Sequence, residues 1–340
     1  MILRMPSYYK KFHCTADKCS DNCCIGWEID IDKKSLGFYK SIGGDFGKKL
    51  DDNISAVELP HFILNKDERC PFLNENNLCE IYINLGEDSL CEICTNHPRF
   101  FEWYDGIKEG GIGLCCEAAA KIIITSDEPF SYYDTEIPFE DCHEYDNDFF
   151  NYLFKIREKI ICHINDKSIP LKNRLNNILY FAAECQNRYD NFCFEIPDIT
   201  YTEISPKNPN FQEIIKEFLT LEQLDEQRLF EKLIDLKYPL KKLPENIINA
   251  TENIAVYFIW RHFLKSVYEG EFYSKVAFTV LSCVVISLTF TAAEMDFTES
   301  AVYYSKEIEY SEQNLEQIFD NFYEKFEFSI EKISSLLKIF

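Results

Sequence analysis

The chain is poor in glycine and in positive charge. It has 11 glycines among 340 residues, which is fewer than is usual for a globular protein. Three of them, Gly110, Gly111 and Gly113, lie in EGGIGLCC, where the spacing differs from the dinucleotide-binding fingerprint and leads into a cysteine pair. No P-loop is present. The sequence therefore gives no sign of a common nucleotide-binding fold.

The shortage of basic residues bears on the partners of the protein. Lys and Arg number 35 against 58 Asp and Glu, which gives a formal net charge of −23. Because like charges repel, this balance argues against nucleic acid as the main partner. It permits a basic partner, such as a lysine-bearing protein surface. An acidic surface that only keeps the protein in solution is the more common meaning of such a charge.

Two further segments indicate the compartment. The N-terminus, MILRMPSYYKKFHC, lacks an apolar core followed by a small-residue cleavage site, so we expect no signal peptide and a cytoplasmic location. Residues Val276 to Ala293 form an uncharged run of 18, which is at the lower limit for a membrane span. The run contains Thr and Ser and lacks an Arg/Lys-rich flank, so we predict a buried core helix and no membrane span.

The chain divides into two regions of different pattern. Residues 1–125 combine cysteines with turn-forming residues, and the alternation in Gly26 to Ile31 predicts a short strand. Residues 145–340 carry apolar residues at helical spacing, ending in three long helical stretches at about 245–269, 271–296 and 298–338. The predicted fold is mainly α, with a small cysteine-rich metal- or cluster-binding N-terminal module followed by an all-helical domain.

The cysteines are the most informative feature. Ten of the 15 lie within the first 116 residues, at positions 14, 19, 23, 24, 70, 79, 91, 94, 115 and 116. Thiolates at such gaps can converge on one soft metal or cluster, and a reducing compartment disfavours disulfides. Ten thiols are enough for one four-ligand site or two, of zinc or of iron and sulfide. The other five, Cys142, Cys162, Cys185, Cys193 and Cys283, are predicted to be small buried apolar residues.

One cofactor signature is missing. The C-x3-C-x2-C motif of radical S-adenosylmethionine enzymes would need a cysteine at Gly26, after Cys19 and Cys23. The sequence therefore lacks the ligand spacing of that class.

The combined motifs resemble the bacterial flagellin lysine-N-methylase family, whose N-terminal region belongs to a wider group of zinc- or iron-chelating domains with a C-x-x-C-x-x-C-C theme. The segments that carry the resemblance are CTADKCSDNCCIGWEIDID, RCPFLNENNLCEIYINLGEDSLCEICTNHPRFFEW, LCCEAAA and, in the helical half, ENIAVYFIWRHF. The ligand positions that it implies are Cys14, Cys19, Cys23, Cys24, Cys70, Cys79, Cys91, Cys94 and Cys115. His97 stands where the family has Tyr, and its ring could ligate a metal or pack over the site.

The resemblance implies a function and two cofactors. The activity would be transfer of methyl groups from S-adenosylmethionine to lysine ε-amines of flagellin, with a cysteine-ligated iron–sulfur cluster of the [4Fe–4S] type. Zinc is the alternative metal. The cysteines alone would equally suit a non-enzymatic metal or iron–sulfur protein or a redox sensor. They would also suit a structural zinc module that presents a helical interaction domain.

Lysine methylation needs a deprotonated amine aligned with the donor methyl in a dry pocket. The positive donor favours acidic or aromatic lining, and the candidates near the cysteines are Trp27, Glu28, Asp30, Tyr82, Glu87, Trp103 and Tyr104. Core packing, a solvent-facing strand or a helix cap would explain the same residues. Arg99 could hold a negative charge of the cluster or form a surface ion pair. Tyr257 and Arg261 are one helical turn apart and should face the same way, and no residue is identified as a general base.

Overall fold

The computed structural model describes residues 1–20, 22–55, 59–104, 106–140, 144–222, 224, 227–293 and 295–340. Cys142, predicted above to be a buried apolar residue, lies outside these ranges. The strands are β1 Ile2–Pro6, β2 Ile54–Ser55, β3 His61–Phe62, β4 Arg99–Tyr104, β5 Ile107–Ile112 and β6 Tyr132–Glu136. The first helices are α1 Lys33–Tyr39, α2 Gly44–Asp52, α3 Glu80–Leu85, α4 Glu92–Asn96 and α5 Glu117–Ile124.

The remaining helices follow from residue 147 onward. They are α6 Asn147–Ile164, α7 Leu171–Asp190, α8 Phe211–Phe218, α9 Gln227–Ile234, α10 Glu245–His262, α11 Ser266–Glu269, α12 Tyr273–Ala293, α13 Phe297–Tyr304, α14 Glu312–Glu324 and α15 Ile330–Leu336. The predicted mainly helical fold class is confirmed, and the structure adds a small sheet.

The chain forms two compact units. The helical unit comprises residues 1–11, 101–115 and 119–340, and the cysteine unit comprises residues 12–100 and 116–118. The predicted division at residue 125 does not coincide with the edge of a unit, because β1 and β5 pair with each other inside the helical unit.

The four-stranded sheet was not predicted; it lies wholly before residue 137 and leaves the prediction of an all-helical region 145–340 standing for the described residues. Its strand order is β4–β5–β1–β6, with β1 parallel to β5 and antiparallel to β6. Glu109 of β5 is buried and accepts two hydrogen bonds from Arg157 of α6, at 2.5 and 2.7 Å. The Arg157 guanidinium also lies 4.5 Å from the ring centroid of Trp260 on α10. A buried charge pair with good geometry therefore joins the sheet to two helices.

Helix α12 is the core of the helical unit. It packs against α7, α9, α10, α13 and α14, and residues 274–289 are buried. Among the described helices it alone is long and apolar enough to cross a membrane, and most of it is buried inside the protein. This burial confirms the prediction of a core helix for the segment. The hydroxyls of Thr279, Ser282 and Thr289 are accommodated there because each donates to the carbonyl four residues earlier.

Three local predictions were wrong. Cys162 and Cys193, which were predicted to be small buried residues, are exposed, whereas Cys185 and Cys283 are buried as predicted. Residues 26–31 form no strand; Gly26 has a φ of +76°, and the segment makes only an isolated bridge between Asp30 and His61. The stretch 298–338 is three helices, α13 to α15. Its first break precedes α14, where the Ser311 hydroxyl accepts the Asn314 N–H and caps a new helix.

The cysteine unit has its own small core. Tyr39 of α1, Phe62 of β3 and Phe72 are almost fully buried. The ring centroids of Phe62 and Phe72 lie 5.2 Å apart in an edge-to-face arrangement, which is a favourable geometry for aromatic pairs. Cys70 and Cys91 belong to the same core, and Cys24, Cys79 and Cys94 pack against it.

Candidate metal centre and a buried carboxylate cluster

Five thiols of the cysteine unit lie near one another although they are far apart in the sequence. They are Cys24, Cys70, Cys79, Cys91 and Cys94. They are close enough that a thiolate at one position affects the pKa of other thiols in the set. The backbone joins two of the segments, because the Cys70 N–H donates to the Cys24 carbonyl at 2.8 Å. The structure thus brings together five of the nine predicted ligands.

Three of these sulfurs share a local backbone pattern. Cys70 accepts from the N–H groups of the residues two and three positions on, and Cys79 and Cys91 do the same. Cys79 and Cys91 achieve this as the N-cap residues of α3 and α4, where the first N–H groups of a helix have no intrahelical acceptor. Paired N–H donors stabilise negative charge on sulfur. These three positions are therefore suited to hold thiolates.

The protonation of the set follows from burial and pairing. A hydrogen bond from Cys94 lowers the pKa of Cys91, and the same bond raises the pKa of Cys94. Burial raises the pKa of Cys70 to about 11 and also raises that of Cys79. Several thiolates in one half-buried place repel one another, and a bound cation would remove that cost.

The donor chemistry fits a thiolate-held metal or cluster. In the arrangement shown, however, no group of three or more Cys, His, Asp or Glu side chains among the described residues is placed to hold a metal ion. Ligation by these cysteines therefore stays a prediction.

Of the other predicted ligands, Cys23 adjoins the set, and Cys14, Cys19 and Cys115 lie in different surroundings. Cys14 is exposed, and its sulfur accepts from the Ala16 N–H at 3.4 Å. The Cys19 thiol lies 3.6 Å from the carboxylate of Glu117, and Cys23 hydrogen-bonds to its neighbour Cys24. Cys115 is buried in the helical unit, where it hydrogen-bonds to Tyr310.

The candidates beside the cysteines divide between the two units. The rings of Trp27 and His97 make an edge contact with their centroids 6.1 Å apart, and both alternatives for His97 stay predictions. Arg99 lies over the ring of Phe12 at 5.2 Å and donates to the Thr95 carbonyl at 3.2 Å. Trp103 and Tyr104 belong to the helical unit, where Tyr104 is buried in an aromatic cluster with Phe150.

Asp32 supports the candidate metal centre and was missed by sequence reasoning. Its carboxylate caps α1 by accepting from the Ser35 N–H and accepts from the Glu92 N–H at the start of α4, both at 2.9 Å. The slight burial of the Asp32 carboxylate opposes its ionisation, but these hydrogen bonds outweigh that effect and lower the pKa of Asp32 to about 2. Asp32 thus fixes the turn that carries Cys91. An Asp three residues before Ser at the start of a helix is a recognisable cap signal.

The helical unit contains a second polar cluster, centred on Glu309. Its side chain has no exposed surface and lies at the end of a π-helical turn, Ser305–Glu309. The carboxylate accepts from the Tyr257 hydroxyl at 2.9 Å, from the Ser305 hydroxyl at 2.5 Å and from His262 Nε2 at 2.9 Å. Arg261 Nε lies 3.1 Å away. Turns of this kind are common at functional sites.

The electrostatics define what Glu309 can do. Burial opposes its ionisation, yet Arg261 and the hydrogen bond from His262 hold the pKa of Glu309 at about 2. Burial lowers the pKa of His262 to about 4, so this ring is neutral at pH 7. A carboxylate with so low a pKa is a poor proton acceptor. Glu309 is therefore suited to hold Arg261 and Tyr257 in place and not to act as a general base.

The cluster also anchors the loop that leads to Cys115. The Leu114 N–H donates to the Tyr257 hydroxyl at 3.2 Å. A Cβ at Gly113 would lie 2.0 Å from the Tyr310 hydroxyl oxygen and 3.0 Å from Arg261 Nη1. Only glycine therefore permits this approach. The prediction that Tyr257 and Arg261 face the same way is confirmed, because Arg261 Nη1 donates to the Tyr257 hydroxyl at 2.8 Å.

Comparisons with known proteins point to one family. Residues 190–336 match the family model of the FliB lysine N-methylase C-terminal domain. A flagellar biosynthetic protein FliU from Salmonella muenchen is 29% identical over 130 residues, covering 35% of this chain and 75% of that protein. A lysine-N-methylase from Salmonella typhimurium is 28% identical over 130 residues, covering 35% of this chain and 31% of that protein.

A lysine-N-methylase from Salmonella choleraesuis is similar to the same extent. The matched region thus spans about a third of the length of these two lysine-N-methylases. No solved structure matches the chain.

Proposed function

From the relationship of this chain to the FliB lysine N-methylases, we propose that it transfers methyl groups to lysine ε-amines of flagellin. The observation that carries the proposal is the match of residues 190–336 to the FliB C-terminal domain. The relatives named lysine-N-methylase and FliU support the same direction. The 58 acidic residues outnumber the 35 basic ones, and this negative charge suits a lysine-bearing substrate.

The proposed methyl donor is S-adenosylmethionine. Its sulfonium makes the methyl carbon electrophilic, and the lysine amine displaces the thioether after losing its proton. The protein must exclude water and align the amine, because orientation accounts for much of the rate of such displacements. Glu309 is unsuited to take the lysine proton, since Arg261 and the hydrogen bond from His262 hold its pKa at about 2 and make it a poor proton acceptor.

The proposed second cofactor is an iron–sulfur cluster of the [4Fe–4S] type. Its four thiolates would come from the set of Cys24, Cys70, Cys79, Cys91 and Cys94, which are near one another in the cysteine unit. Cys14, Cys19, Cys23 and Cys115 stay predicted ligands. A displacement at a methyl carbon transfers no net electron, so the cluster would contribute to folding or report redox state.

The test is methyl transfer to purified flagellin. The chain, purified without oxygen, is incubated with flagellin and S-adenosylmethionine. The masses of the tryptic peptides of flagellin are then measured by mass spectrometry. We expect lysine-containing peptides to gain the mass of one or more methyl groups. The control is flagellin whose amines have been acetylated beforehand. Unchanged flagellin peptides would contradict the proposal.

The cysteine set also favours a second candidate, a metal or iron–sulfur protein without methyltransferase activity. The five neighbouring thiols, three of which accept backbone N–H groups, would serve such a protein equally well. The same preparation distinguishes the two. A coloured, iron-containing protein that leaves flagellin unmodified would favour the second candidate. Stoichiometric zinc without colour would favour a structural module.

A further inference from the structure

An exposed aromatic segment follows the end of α7. The six residues Asp190 to Glu195 (DNFCFE) are all exposed. The side chains of Phe192 and Phe194 stand out most, with 86% and 59% of their surface exposed. Large exposed apolar side chains in close succession mark sites of interaction more often than isolated ones do. We call residues 190–195 the Phe192 surface.

The backbone conformation of Phe192 is unusual. Its φ is +58°, in the left-handed region. It lies just beyond the helix end, where the Phe192 N–H donates to the Tyr189 carbonyl at 2.9 Å and the Cys193 N–H donates to the Arg188 carbonyl at 2.8 Å. Glycine or asparagine normally occupies this position, because a Cβ is strained there. The left-handed backbone ends α7 by satisfying its last carbonyls, but that role does not require a phenylalanine whose ring lies in solvent.

Phe194 fixes the segment to a rigid base. Its ring contacts those of Tyr152 and Tyr189, with centroids 6.2 and 5.8 Å apart and both pairs edge to face. Tyr189 in turn stacks on Phe149 at 4.5 Å. The rings belong to α6 and α7, so the Phe192 surface has a preorganised support. Preorganisation lowers the entropy lost when a partner binds.

The charges around the surface are mainly negative. Four carboxylates, those of Glu184, Asp190, Glu195 and Asp198, stand against the cations Arg188 and Lys159. Arg188 pairs with Glu184 at 2.6 Å and reaches Glu195 at 4.0 Å, and Lys159 pairs with Asp198 at 2.9 Å. Gln186 donates to Asp190 at 3.0 Å. The side chains of Glu195 and Asp198 are 83% and 93% exposed, so the surface retains an excess of accessible negative charge.

We propose that the Phe192 surface docks a lysine-bearing, positively charged segment of the protein substrate. Aromatic faces attract ammonium groups, and nearby carboxylates add to that attraction. A basic polypeptide therefore matches both features of the surface, whereas an apolar partner would take these carboxylates out of water without adding a positive charge. The inference rests on the proposed function, because it assigns the docking of the substrate that the methyl transfer would modify.

The test compares binding of purified flagellin to the full chain and to Phe192→Gly. Glycine adopts a φ of +58° without strain, so this variant should fold at least as well as the wild type. We expect its Kd for flagellin to rise about tenfold, since exposed aromatic anchors carry much of the affinity at such contacts. Phe139→Ala is the matched control, because Phe139 is 65% exposed elsewhere on the helical unit, and its Kd should not change. Glu195→Gln should weaken binding at low salt only.

Three outcomes would overturn the proposal. In the first, the wild type methylates flagellin, but Phe192→Gly binds flagellin as tightly as the wild type does. This result overturns the docking surface and leaves the proposed function standing. A wild-type chain that neither binds nor methylates flagellin overturns both. A wild-type dimer that Phe192→Gly dissociates, with flagellin binding unchanged, assigns the surface to a second copy of the chain.

Discussion

Nε of Arg261 lies 3.1 Å from Oε1 of Glu309, and the Glu309 side chain is completely buried. Arg261 also donates through Nη1 to the hydroxyls of Tyr257 and Tyr310, at 2.8 and 3.0 Å. Each charge is therefore compensated by the other and by neutral donors and acceptors, which is the condition under which a buried ion pair is tolerated. The pair connects α10 to the π-helical turn before α14 and, through Tyr257, to Leu114.

Removal of the negative charge at Glu309 should destabilise the helical unit strongly. In Glu309→Gln, Arg261 keeps its charge in a buried place without a counterion, and breaking such a pair costs about 3–5 kcal/mol. We expect a lower midpoint in urea-induced unfolding followed by circular dichroism. The control is Glu316→Gln on the exposed side of α14, which should change the free energy of unfolding by less than about 0.5 kcal/mol. Equal midpoints for the two variants would show that the pair contributes little.

Acid should weaken the fold through the same cluster. The pKa of His262 is about 4 in the folded protein, below its ordinary value, so the unfolded chain binds that proton first as the pH falls below about 6.5. The pKa of Glu309 is about 2, below its ordinary value, so its stabilisation is present above about pH 4.3 and is lost as the pH falls toward 2. Both terms make the free energy of unfolding decrease on acidification.

The His262 term can be isolated between pH 7 and pH 5. One pKa unit corresponds to about 1.4 kcal/mol, so His262 should lower the free energy of unfolding by about 2 kcal/mol over that range. In His262→Gln, whose amide can still donate to Glu309, the decrease should be smaller by that amount. His13→Gln at an exposed site is the control. Equal decreases for the wild type and His262→Gln, measured by urea unfolding at both pH values, would contradict the assignment.

The sequence predicted the elements that depend on local pattern. The apolar run at 276–293 is a buried helix, α12, because its composition and length leave few alternatives. Tyr257 and Arg261 meet because helical periodicity places them one turn apart. The sheet was missed because β1 pairs with β5, more than 100 residues away, and a single sequence shows no trace of such a pairing.

The two polar clusters differ in how far sequence could reach them. The cysteines were found because their residue type and spacing are rare, and the structure brings five of them near one another. Glu309 was missed because it stands in KEIEY among many acidic residues, and a polar helical segment is normally exposed. Its burial depends on the partners Arg261 and Ser305 and on the π-helical turn, which local pattern does not indicate.

Gly113 should tolerate no side chain while Tyr310 is present. In Gly113→Ala the new Cβ would lie 2.0 Å from the Tyr310 hydroxyl oxygen, and overpacking of a buried site costs about 1–3 kcal/mol. Tyr310→Phe removes that oxygen. The double variant should therefore be less destabilised than the sum of the single variants, a coupling that a double-mutant cycle of urea unfolding measures. Additive effects would show that Tyr310 moves aside freely.

Loss of a ligand thiol should remove the metal before it affects the helical unit. Cys70→Ser and Cys91→Ser each delete a buried sulfur that accepts two backbone N–H groups, and serine binds iron or zinc less well than thiolate does. For the wild type purified without oxygen, we expect about four irons and four sulfides per chain, with visible absorption. Both variants should lose most of this content.

Cys162→Ser is the matched control for these variants. Cys162 is exposed on α6 of the helical unit, so its replacement should leave iron, sulfide and colour unchanged. Wild-type protein with one zinc and no sulfide would replace the cluster with a structural zinc site. Full iron content in both Cys70→Ser and Cys91→Ser would assign ligation to other thiols, of which Cys19 beside Glu117 and Cys115 beside Tyr310 are the next predicted ligands to replace.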